Sequence, residues 1–261
     1  MQAFDYQTPT TIAAAARAAA QEDAKLIAGG QSLLQSMKLG LSAPPVLVDL
    51  GGIAELKGIV VDGGSVTIGA TTTHAAVAAS PDVQRAIPAL ADLAGRIGDR
   101  QVRHRGTIGG SLANNDPAAC WPAAVLGLGA TVQTNSRTLS AEEFFVGLYT
   151  TALLEDEIIT AVRFPVPHQA GWQKFRQPAS RFALVGVFVS RGPQGVRVAV
   201  TGAGANGVFR ATELETRLTA DWSAAALAGA TVNAEDLNSD LHASAGYRAA
   251  LIPVLAARAL G

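Results

Sequence analysis

The chain has 261 residues, of which 49% are hydrophobic and 16% are charged, and its formal net charge at pH 7 is −1. This length is sufficient for two modest domains or for one large domain. The near-zero net charge provides no basic field for nucleic acid, so nucleic acid is not expected as a ligand. The charged fraction lies below the roughly 25% of an average globular chain, which suggests that partner proteins cover part of the surface.

The cysteine count and the N-terminal sequence restrict the cofactor chemistry and the location. Cys120 is the single cysteine, so neither an intramolecular disulfide nor a cysteine-ligated iron–sulfur cluster can form within this chain. Residues 1–5 lack a basic segment followed by an apolar core, and no uninterrupted apolar run reaches the roughly 18 residues of a membrane span. We therefore expect a cytoplasmic protein without a transmembrane segment.

The N-terminal part of the chain predicts a small α/β lobe. Thr11 is a suitable N-cap for the alanine-rich residues 12–21, which are predicted to form a helix. Residues 25–28 and 46–50 are predicted to form short strands, and residues 31–39 between them are predicted to begin a helix. Together these elements predict a lobe over about residues 1–55.

Two stretches contain adjacent glycines. We call residues 28–33 the first glycine loop and residues 107–111 the second glycine loop. Adjacent glycines permit positive φ and a close ligand approach, so we expect consecutive N–H groups in each loop to converge on an anion. A single glycine pair more often marks an ordinary turn, but two such loops in one domain favour a ligand.

The composition of the two glycine loops restricts the anion. Neither loop contains the lysine of the G-x-x-x-x-G-K-[ST] motif, which disfavours ATP or GTP hydrolysis. A cofactor whose diphosphate is internal and is never cleaved needs only backbone donors and helix N-termini. The two loops therefore favour a cofactor such as FAD.

The middle of the chain predicts a second lobe over about residues 56–165. Residues 59–61 and 65–70 flank a glycine-containing turn and predict a hairpin. Residues 81–93 predict a helix that Pro88 divides or kinks. After the second glycine loop, the sequence predicts a helix at residues 121–128, a strand at residues 130–134 and an extended segment at residues 158–164.

The remainder of the chain predicts a smaller second domain, and the protein as a whole is predicted to be α+β. Pro165 and Pro167 mark the predicted boundary, which gives domains of residues 1–165 and 166–261. Alternating segments predict a three-stranded antiparallel sheet from residues 172–176, 183–190 and 196–201. About three helices are predicted, at residues 211–218, 224–228 and 247–260, the last kinked or interrupted at Pro253.

A literal G-x-G-x-x-G runs from Gly202 to Gly207, and Asp221 follows at about the spacing of a dinucleotide fingerprint. The strand before it, however, fits an antiparallel meander, and too little strand-like sequence follows to build a βαβαβ half. We expect a tight loop near a subunit or flavin contact. A stand-alone NAD-dependent dehydrogenase that uses this loop is kept as an alternative.

Other residue types give little support for catalysis by this chain. The histidines have no metal-ligand spacing, so no metal site is expected and surface or helix-end positions are favoured for His74, His104, His168 and His242. Cys120 is interpreted as a packing residue, and no G-x-S-x-G nucleophile motif occurs. A basic run beside the second glycine loop fits either a diphosphate or partner contact or a solvated helix end; it comprises Arg96, Arg100, Arg103 and Arg105.

The order of these motifs resembles the FAD-binding medium subunits of the molybdenum hydroxylases, which include aerobic carbon monoxide dehydrogenase and the xanthine dehydrogenases. The resemblance is carried by Ala28-Gly29-Gly30-Gln31-Ser32, by residues 37–39, 46–50 and 101–103, and by residues 107–113. It extends over nearly the whole chain. It implies a two-lobed FAD-binding domain of the vanillyl-alcohol-oxidase type, followed by a small C-terminal flavoprotein domain.

The resemblance also implies a set of FAD-binding residues. The first glycine loop would contribute Ala28, Gly29, Gly30, Gln31, Ser32 and Leu33. The second glycine loop would contribute Thr107, Ile108, Gly109, Gly110 and Ser111. Asn114 and Asp116 would reach ribityl or adenosine hydroxyls, and Ile97, Lys174 and Phe182 would lie near the isoalloxazine ring.

Cys120 and Phe182 depart from the pattern of the family. Many relatives have an acidic residue at the position of Cys120 and a tyrosine or tryptophan at the position of Phe182. The first departure puts one hydrogen bond to the ribityl chain in doubt, and the second removes a polar group but keeps the ring face. From the sequence alone, Phe182 is interpreted as a core residue.

The function that the resemblance implies is electron transfer, with no catalytic acid, base or metal on this chain. A large subunit would carry the molybdenum cofactor and oxidise the substrate, and a small subunit would pass electrons through [2Fe–2S] clusters. FAD on this chain would collect them for an external acceptor. The expected assembly is a heterotrimer or a dimer of heterotrimers. A non-catalytic assembly protein with a flavin-type fold is the second alternative.

Overall fold

A computed structural model describes residues 2–261 and shows an α+β protein, as the sequence predicts. A parallel three-stranded sheet, an antiparallel five-stranded sheet and an antiparallel four-stranded sheet follow one another along the chain. A two-stranded hairpin is inserted before the last strand of the five-stranded sheet. Within the described residues, no helix has both the length and the apolar character needed to cross a bilayer.

The N-terminal lobe is a parallel sheet with strand order β1-β3-β2. Its elements are β1 (Asp5–Gln7), α1 (Ile12–Ala19), β2 (Lys25–Ile27), α2 (Leu33–Lys38) and β3 (Val46–Asp49), followed by short 3-10 helices at Leu50–Gly52 and Ala54–Leu56. The hydroxyl of Thr11 accepts the N–H of Ala14 at 3.2 Å, which confirms the predicted N-cap of α1. The predicted elements of this lobe are therefore confirmed, and β1 is an additional strand.

The second lobe surrounds an antiparallel sheet. Its elements are β4 (Ile59–Val61), β5 (Ser65–Gly69), α3 (His74–Ala79), α4 (Pro81–Ala86), α5 (Pro88–Gly95), α6 (Arg100–Arg105), α7 (Ile108–Asn114), α8 (Trp121–Leu128), β6 (Thr131–Thr134), β7 (Thr138–Ser140), α9 (Ala141–Phe144), β8 (Phe145–Gly147), β9 (Thr150–Thr151) and β10 (Ile159–Pro165). The strand order is β4-β5-β10-β6-β7. The predicted break at Pro88 is confirmed, because α4 ends at Ala86 and Pro88 begins a separate helix. All eight residues of α8 are buried, so this helix forms the centre of the core.

The C-terminal part combines a meander with helices. Its elements are β11 (Gln169–Arg176), β12 (Ala183–Gly192), β13 (Gly195–Thr201), β14 (Phe209–Arg210), α10 (Thr212–Ala220), a 3-10 helix at Ala224–Leu227 and α11 (Ala245–Ala259). The sheet has four strands instead of the predicted three, because β14 pairs with β13 over two residues. Helix α11 continues through Pro253, so the predicted interruption at this residue is wrong and the alternative of a kink stays a prediction.

One hydrophobic cluster contains residues of both predicted domains, and the C-terminal part also has a cluster of its own. Trp172, Phe188 and Ala199 from the C-terminal sheet pack in the same buried cluster as Trp121 and Phe164. Strand β10 ends at Pro165 and β11 begins at Gln169. The division at residue 165 stays a prediction, because a shared core couples the stability of the two parts.

The glycine-rich loop from Gly202 to Gly207 follows an antiparallel strand, not a βαβ unit. Its backbone bonds to the segment before α11: Ala205 N–H donates to the Asp236 carbonyl at 2.8 Å, and Asn238 N–H donates to the Ala203 carbonyl at 2.8 Å. The buried Arg248 guanidinium donates to the Gly202 carbonyl at 2.8 Å. The Gly202 N–H also donates to the Pro117 carbonyl at 2.8 Å, so contacts from the second lobe and from the C-terminal part hold this loop.

Strand β11 approaches helix α11 closely, and a glycine substitution can test this contact. A Cβ atom at Gly171 would overlap the carbonyl of Ala259, whereas a Cβ atom at Gly64 would have open space around it. We expect Gly171→Ala to lower the free energy of unfolding by about 1–3 kcal/mol, because neither backbone can yield cheaply. Gly64→Ala is the matched control, and both are compared by urea denaturation. Equal stabilities of the two variants would contradict the described contact.

Candidate functional site

A cavity of about 660 Å³ opens between the two glycine loops. This volume lies within the range of cofactor and ligand pockets. All the predicted binding residues line it except Ile108, whose side chain is fully buried in the core. The cavity thus brings together residues from β2 through the turn between β11 and β12.

The first glycine loop packs against the backbone that leads into the second. A Cβ atom at Gly29 would overlap the carbonyl oxygen of Arg105 and would lie 2.7 Å from the Cα atom of Gly106. Gly30 has a φ of 69°, which lies in the left-handed region that favours glycine. Glycine is therefore required at position 29 because a Cβ atom has no room there, and at position 30 because the backbone has a positive φ.

The first glycine loop carries free backbone donors. Within residues 2–261, the N–H groups of Gly29, Gly30, Gln31 and Ser32 donate to no protein acceptor. The amide side chain of Gln31 donates to the Gly29 carbonyl at 2.9 Å, which fixes the turn. A row of N–H groups in this arrangement binds anions such as phosphate.

The second glycine loop differs from the first, and the expectation of two equivalent donor loops is wrong. Its N–H groups are used by the protein: Ile108 donates to the Thr72 carbonyl at 3.2 Å and Gly109 donates to the Ala70 carbonyl at 2.8 Å. Gly110 donates to the Thr107 hydroxyl at 3.2 Å. This loop therefore supplies a closely packed wall and the Ser111 side chain, not a row of free donors.

A histidine and a tryptophan lie behind the junction of the loops. The His74 N–H donates to the Gly106 carbonyl at 2.9 Å, and the Trp121 indole N–H donates to His74 Nδ1 at 3.0 Å. Of the two expected positions, surface or helix end, His74 has the helix end, because it is the first residue of α3 and only 4% exposed. Burial, together with the Arg103 guanidinium, lowers the pKa of His74 to about 4.

The end of α7 connects the cavity to the hairpin of β8 and β9. Asn115 has a φ of 42° and is buried, and its amide donates to the carbonyls of Gly147 at 2.8 Å and Thr150 at 2.9 Å. These bonds hold Tyr149, whose hydroxyl donates to Asp116 at 3.4 Å. Tyr149 lines the cavity and was missed by the sequence analysis, because it meets Asp116 across 33 residues without a recognisable motif.

Lys174 fixes the opposite side of the cavity. Its ammonium group donates to the carbonyls of Arg96 at 2.7 Å and Arg181 at 3.1 Å, and it lies 3.5 Å from the Cys120 sulfur. Burial raises the pKa of the Cys120 thiol, an effect that the nearby Lys174 charge opposes. Cys120 is both a packing residue and part of the cavity wall.

Phe182 follows Arg181, whose φ is 64°, in the turn between β11 and β12. Its side chain is 49% exposed, so the interpretation as a core residue is wrong. Ile97 lines the same cavity. Within the described residues, no group of three histidine, cysteine or acidic side chains forms a potential metal site.

The buried imidazole predicts a pH dependence of stability. The unfolded chain takes up a proton on His74 below its ordinary pKa of 6.5, whereas the folded chain does so only near pH 4. The free energy of unfolding should therefore fall by about 3 kcal/mol between pH 7 and pH 4 through this group. Denaturation of the wild type and His74→Gln across this range should show that extra loss in the wild type alone.

Glu157 has a separate pH window. Hydrogen bonds from Arg137 lower its pKa to about 2, so its contribution is lost only as the pH falls from about 4.5 towards 2. A wild-type stability that follows the variant between pH 7 and pH 4.5 would therefore contradict the assignment to His74.

Comparison with known proteins identifies a family for the whole chain. The family model described as FAD binding domain in molybdopterin dehydrogenase matches residues 2–167. The chain is 36% identical to the nicotine 6-hydroxylase medium subunit of Paenarthrobacter nicotinovorans, with 100% of this chain and 97% of that protein covered. It is 34% identical to the carbon monoxide dehydrogenase medium chain of Hydrogenophaga pseudoflava, with coverages of 98% and 96%.

Solved structures give the same result. The carbon monoxide dehydrogenase structure from Hydrogenophaga pseudoflava superposes with a TM-score of 0.89 at 34% identity, covering 99% of this chain and 96% of that chain. Quinoline 2-oxidoreductase from Pseudomonas putida 86 gives a TM-score of 0.88 at 31% identity, with the same coverages of 99% and 96%. The chain therefore belongs to the FAD-binding medium subunits of the molybdenum hydroxylase family and is an FAD-dependent oxidoreductase subunit.

Proposed function

We propose that this chain holds FAD in the cavity between the glycine loops and transfers electrons from a partner subunit to an external acceptor. The observation that carries the proposal is the row of unpaired N–H groups in the first glycine loop, which faces a cavity closed by the second loop. These donors suit the diphosphate of FAD and need no lysine. When bound, FAD supplies the redox chemistry that takes up single electrons and releases them in pairs.

The remaining predicted residues are assigned to the other parts of FAD as part of this proposal. Asn114 and Asp116 are assigned to the ribityl or adenosine hydroxyls, since both line the cavity and a carboxylate is a strong acceptor of hydrogen bonds from hydroxyl groups. Lys174, Ile97 and Phe182 are assigned to the isoalloxazine end. Apolar walls suited to aromatic rings are provided by Leu26, Leu50, Leu153 and Leu154.

The role of the protein residues in this proposal is to bind and orient the cofactor. Lys174 holds the Arg181 carbonyl and thereby fixes the turn that carries Phe182. Because Phe182 is half-exposed, this end of the cavity reaches the protein surface, where electrons can enter or leave. No residue is required to act as a general acid or base.

The proposed partners are a large subunit with the molybdenum cofactor and a small subunit with [2Fe–2S] clusters, in a cytoplasmic heterotrimer or dimer of heterotrimers. The relatives support this organisation, since their names describe medium chains and medium subunits. Those names also include different substrates, such as nicotine, carbon monoxide and caffeine. The substrate of the complex is therefore left open.

A matched pair of glycine variants tests FAD binding. Gly29→Ala places a methyl group against the Arg105 carbonyl and separates the loops, whereas Gly64→Ala enters open space. We expect the wild type and Gly64→Ala to retain FAD at one per chain after desalting, and Gly29→Ala to bind at least about tenfold more weakly. Visible absorption measures the flavin, and circular dichroism confirms that each variant is folded.

The same experiment distinguishes an FAD-carrying subunit from a non-catalytic assembly protein with a flavin-type fold. A folded wild-type chain that retains no flavin, both alone and together with its partner subunits, would contradict the proposed function. Retention of FAD by Gly29→Ala at wild-type affinity would show that FAD binds elsewhere on the chain.

A further inference from the structure

The buried pair of His74 and Trp121 lies directly behind the point where the two glycine loops meet. His74 is 4% exposed and Trp121 is fully buried, and their rings are 6.1 Å apart. The contact is a hydrogen bond from the indole N–H to His74 Nδ1 at 3.0 Å. A pair buried this completely must hold its polar atoms in a defined arrangement.

The hydrogen bond from Trp121 fixes the tautomer of His74. An indole nitrogen can only donate, so Nδ1 of His74 must be the acceptor and must lack a proton. Nε2 therefore carries the proton and is itself a donor. The ring stays neutral near pH 7, because its pKa lies at about 4.

The donor at Nε2 has no partner in the protein as described. Within residues 2–261, no acceptor is bonded to this atom, while the imidazole lines the cavity. The protein does not fully enclose Nε2, so water or a ligand in the cavity can accept its hydrogen bond. The acceptor must therefore come from the cavity.

Gly106 keeps the path to Nε2 open. A Cβ atom at this position would lie 2.7 Å from Nε2, although the backbone φ of −60° would accept any residue. Glycine is thus required at position 106 because a Cβ atom would meet the imidazole, and not because of the backbone conformation. The Cα atom of Gly106 also lies against the Gly29 position, so Gly106 lies next to both His74 and the first glycine loop, and all three line the same cavity.

We infer that His74 Nε2–H donates a hydrogen bond to a diphosphate oxygen of the bound FAD. This inference rests on the proposed function and adds a neutral side-chain donor to the backbone donors of the first glycine loop. Trp121 is the positioning residue, since its indole holds the imidazole in the donor tautomer. The diphosphate is selected because it is the strongest acceptor that fits beside these N–H groups.

The test is nuclear magnetic resonance of the full chain labelled with ¹⁵N-histidine. The chain has four histidines, and the other three, His104, His168 and His242, are exposed. The spectrum of His74→Gln assigns the His74 signals by their loss. Without FAD, His74 should show a protonated Nε2 and an unprotonated Nδ1.

With FAD bound at one per chain, the Nε2–H signals of His74 should shift strongly downfield while Nδ1 changes little. Bound FAD with an unchanged Nε2–H signal would overturn the inference and leave FAD binding intact. A folded chain without flavin absorption, both alone and together with its partner subunits, would instead overturn the proposed function, and the inference would fail with it.

Two variants give a second measurement. His74→Phe keeps a ring but removes the donor, whereas His74→Gln keeps an amide N–H close to the position of Nε2. We expect His74→Phe to weaken FAD binding about tenfold and to move one ³¹P signal of bound FAD, and His74→Gln to restore part of both. Equal FAD affinities and ³¹P spectra for wild type and His74→Phe would contradict the inference.

Discussion

The candidate site depends on the contact between Gly29 and the backbone of Arg105 and Gly106. This contact leaves no room for a Cβ atom at residue 29, so the small parallel lobe and the larger lobe meet main chain to main chain. Because α6 ends at Arg105 and the second glycine loop follows immediately, the same contact sets the distance between the loops. Any widening here would separate the donors from the opposite wall of the cavity.

The two glycine loops look alike in sequence but use their glycines differently. In the first loop, Gly29 allows close packing and Gly30 adopts positive φ, which leaves consecutive N–H groups free. In the second loop, a Cβ atom at Gly109 would lie 2.7 Å from that of Ala70, so this glycine lets α7 approach the end of β5. The first loop is therefore suited to bind an anion and the second to hold the lobe together.

Local patterns predicted the elements that carry the site, and contacts between distant residues account for what they missed. The Thr11 N-cap, the break at Pro88 and the fully apolar α8 depend on neighbouring residues, and the structure has all three. The sequence predicts a surface or helix-end position for His74, and its burial is not visible locally because its partner, Trp121, lies 47 residues away. Its environment is created by tertiary packing, which single-sequence periodicity does not contain.

The environments of two further residues also depend on the folded structure. The motif assigns Ile108 to the second glycine loop, and its apolar side chain is buried where α7 packs on the sheet. The sequence alone predicts Phe182 as a core residue because it is aromatic, whereas the left-handed Arg181 turns the chain outward just before it. Packing of an apolar side chain decides the first case, and backbone conformation decides the second.

The most direct test of the account is residue-resolved amide hydrogen exchange of the full chain with and without FAD. If the first glycine loop holds the diphosphate, FAD should slow exchange strongly at Gly29, Gly30, Gln31 and Ser32. Exchange at Ile108 and Gly109 should be slow in both states, since these amides already donate to Thr72 and Ala70. Bound FAD with unchanged exchange in the first glycine loop would contradict the claim that this loop holds the diphosphate.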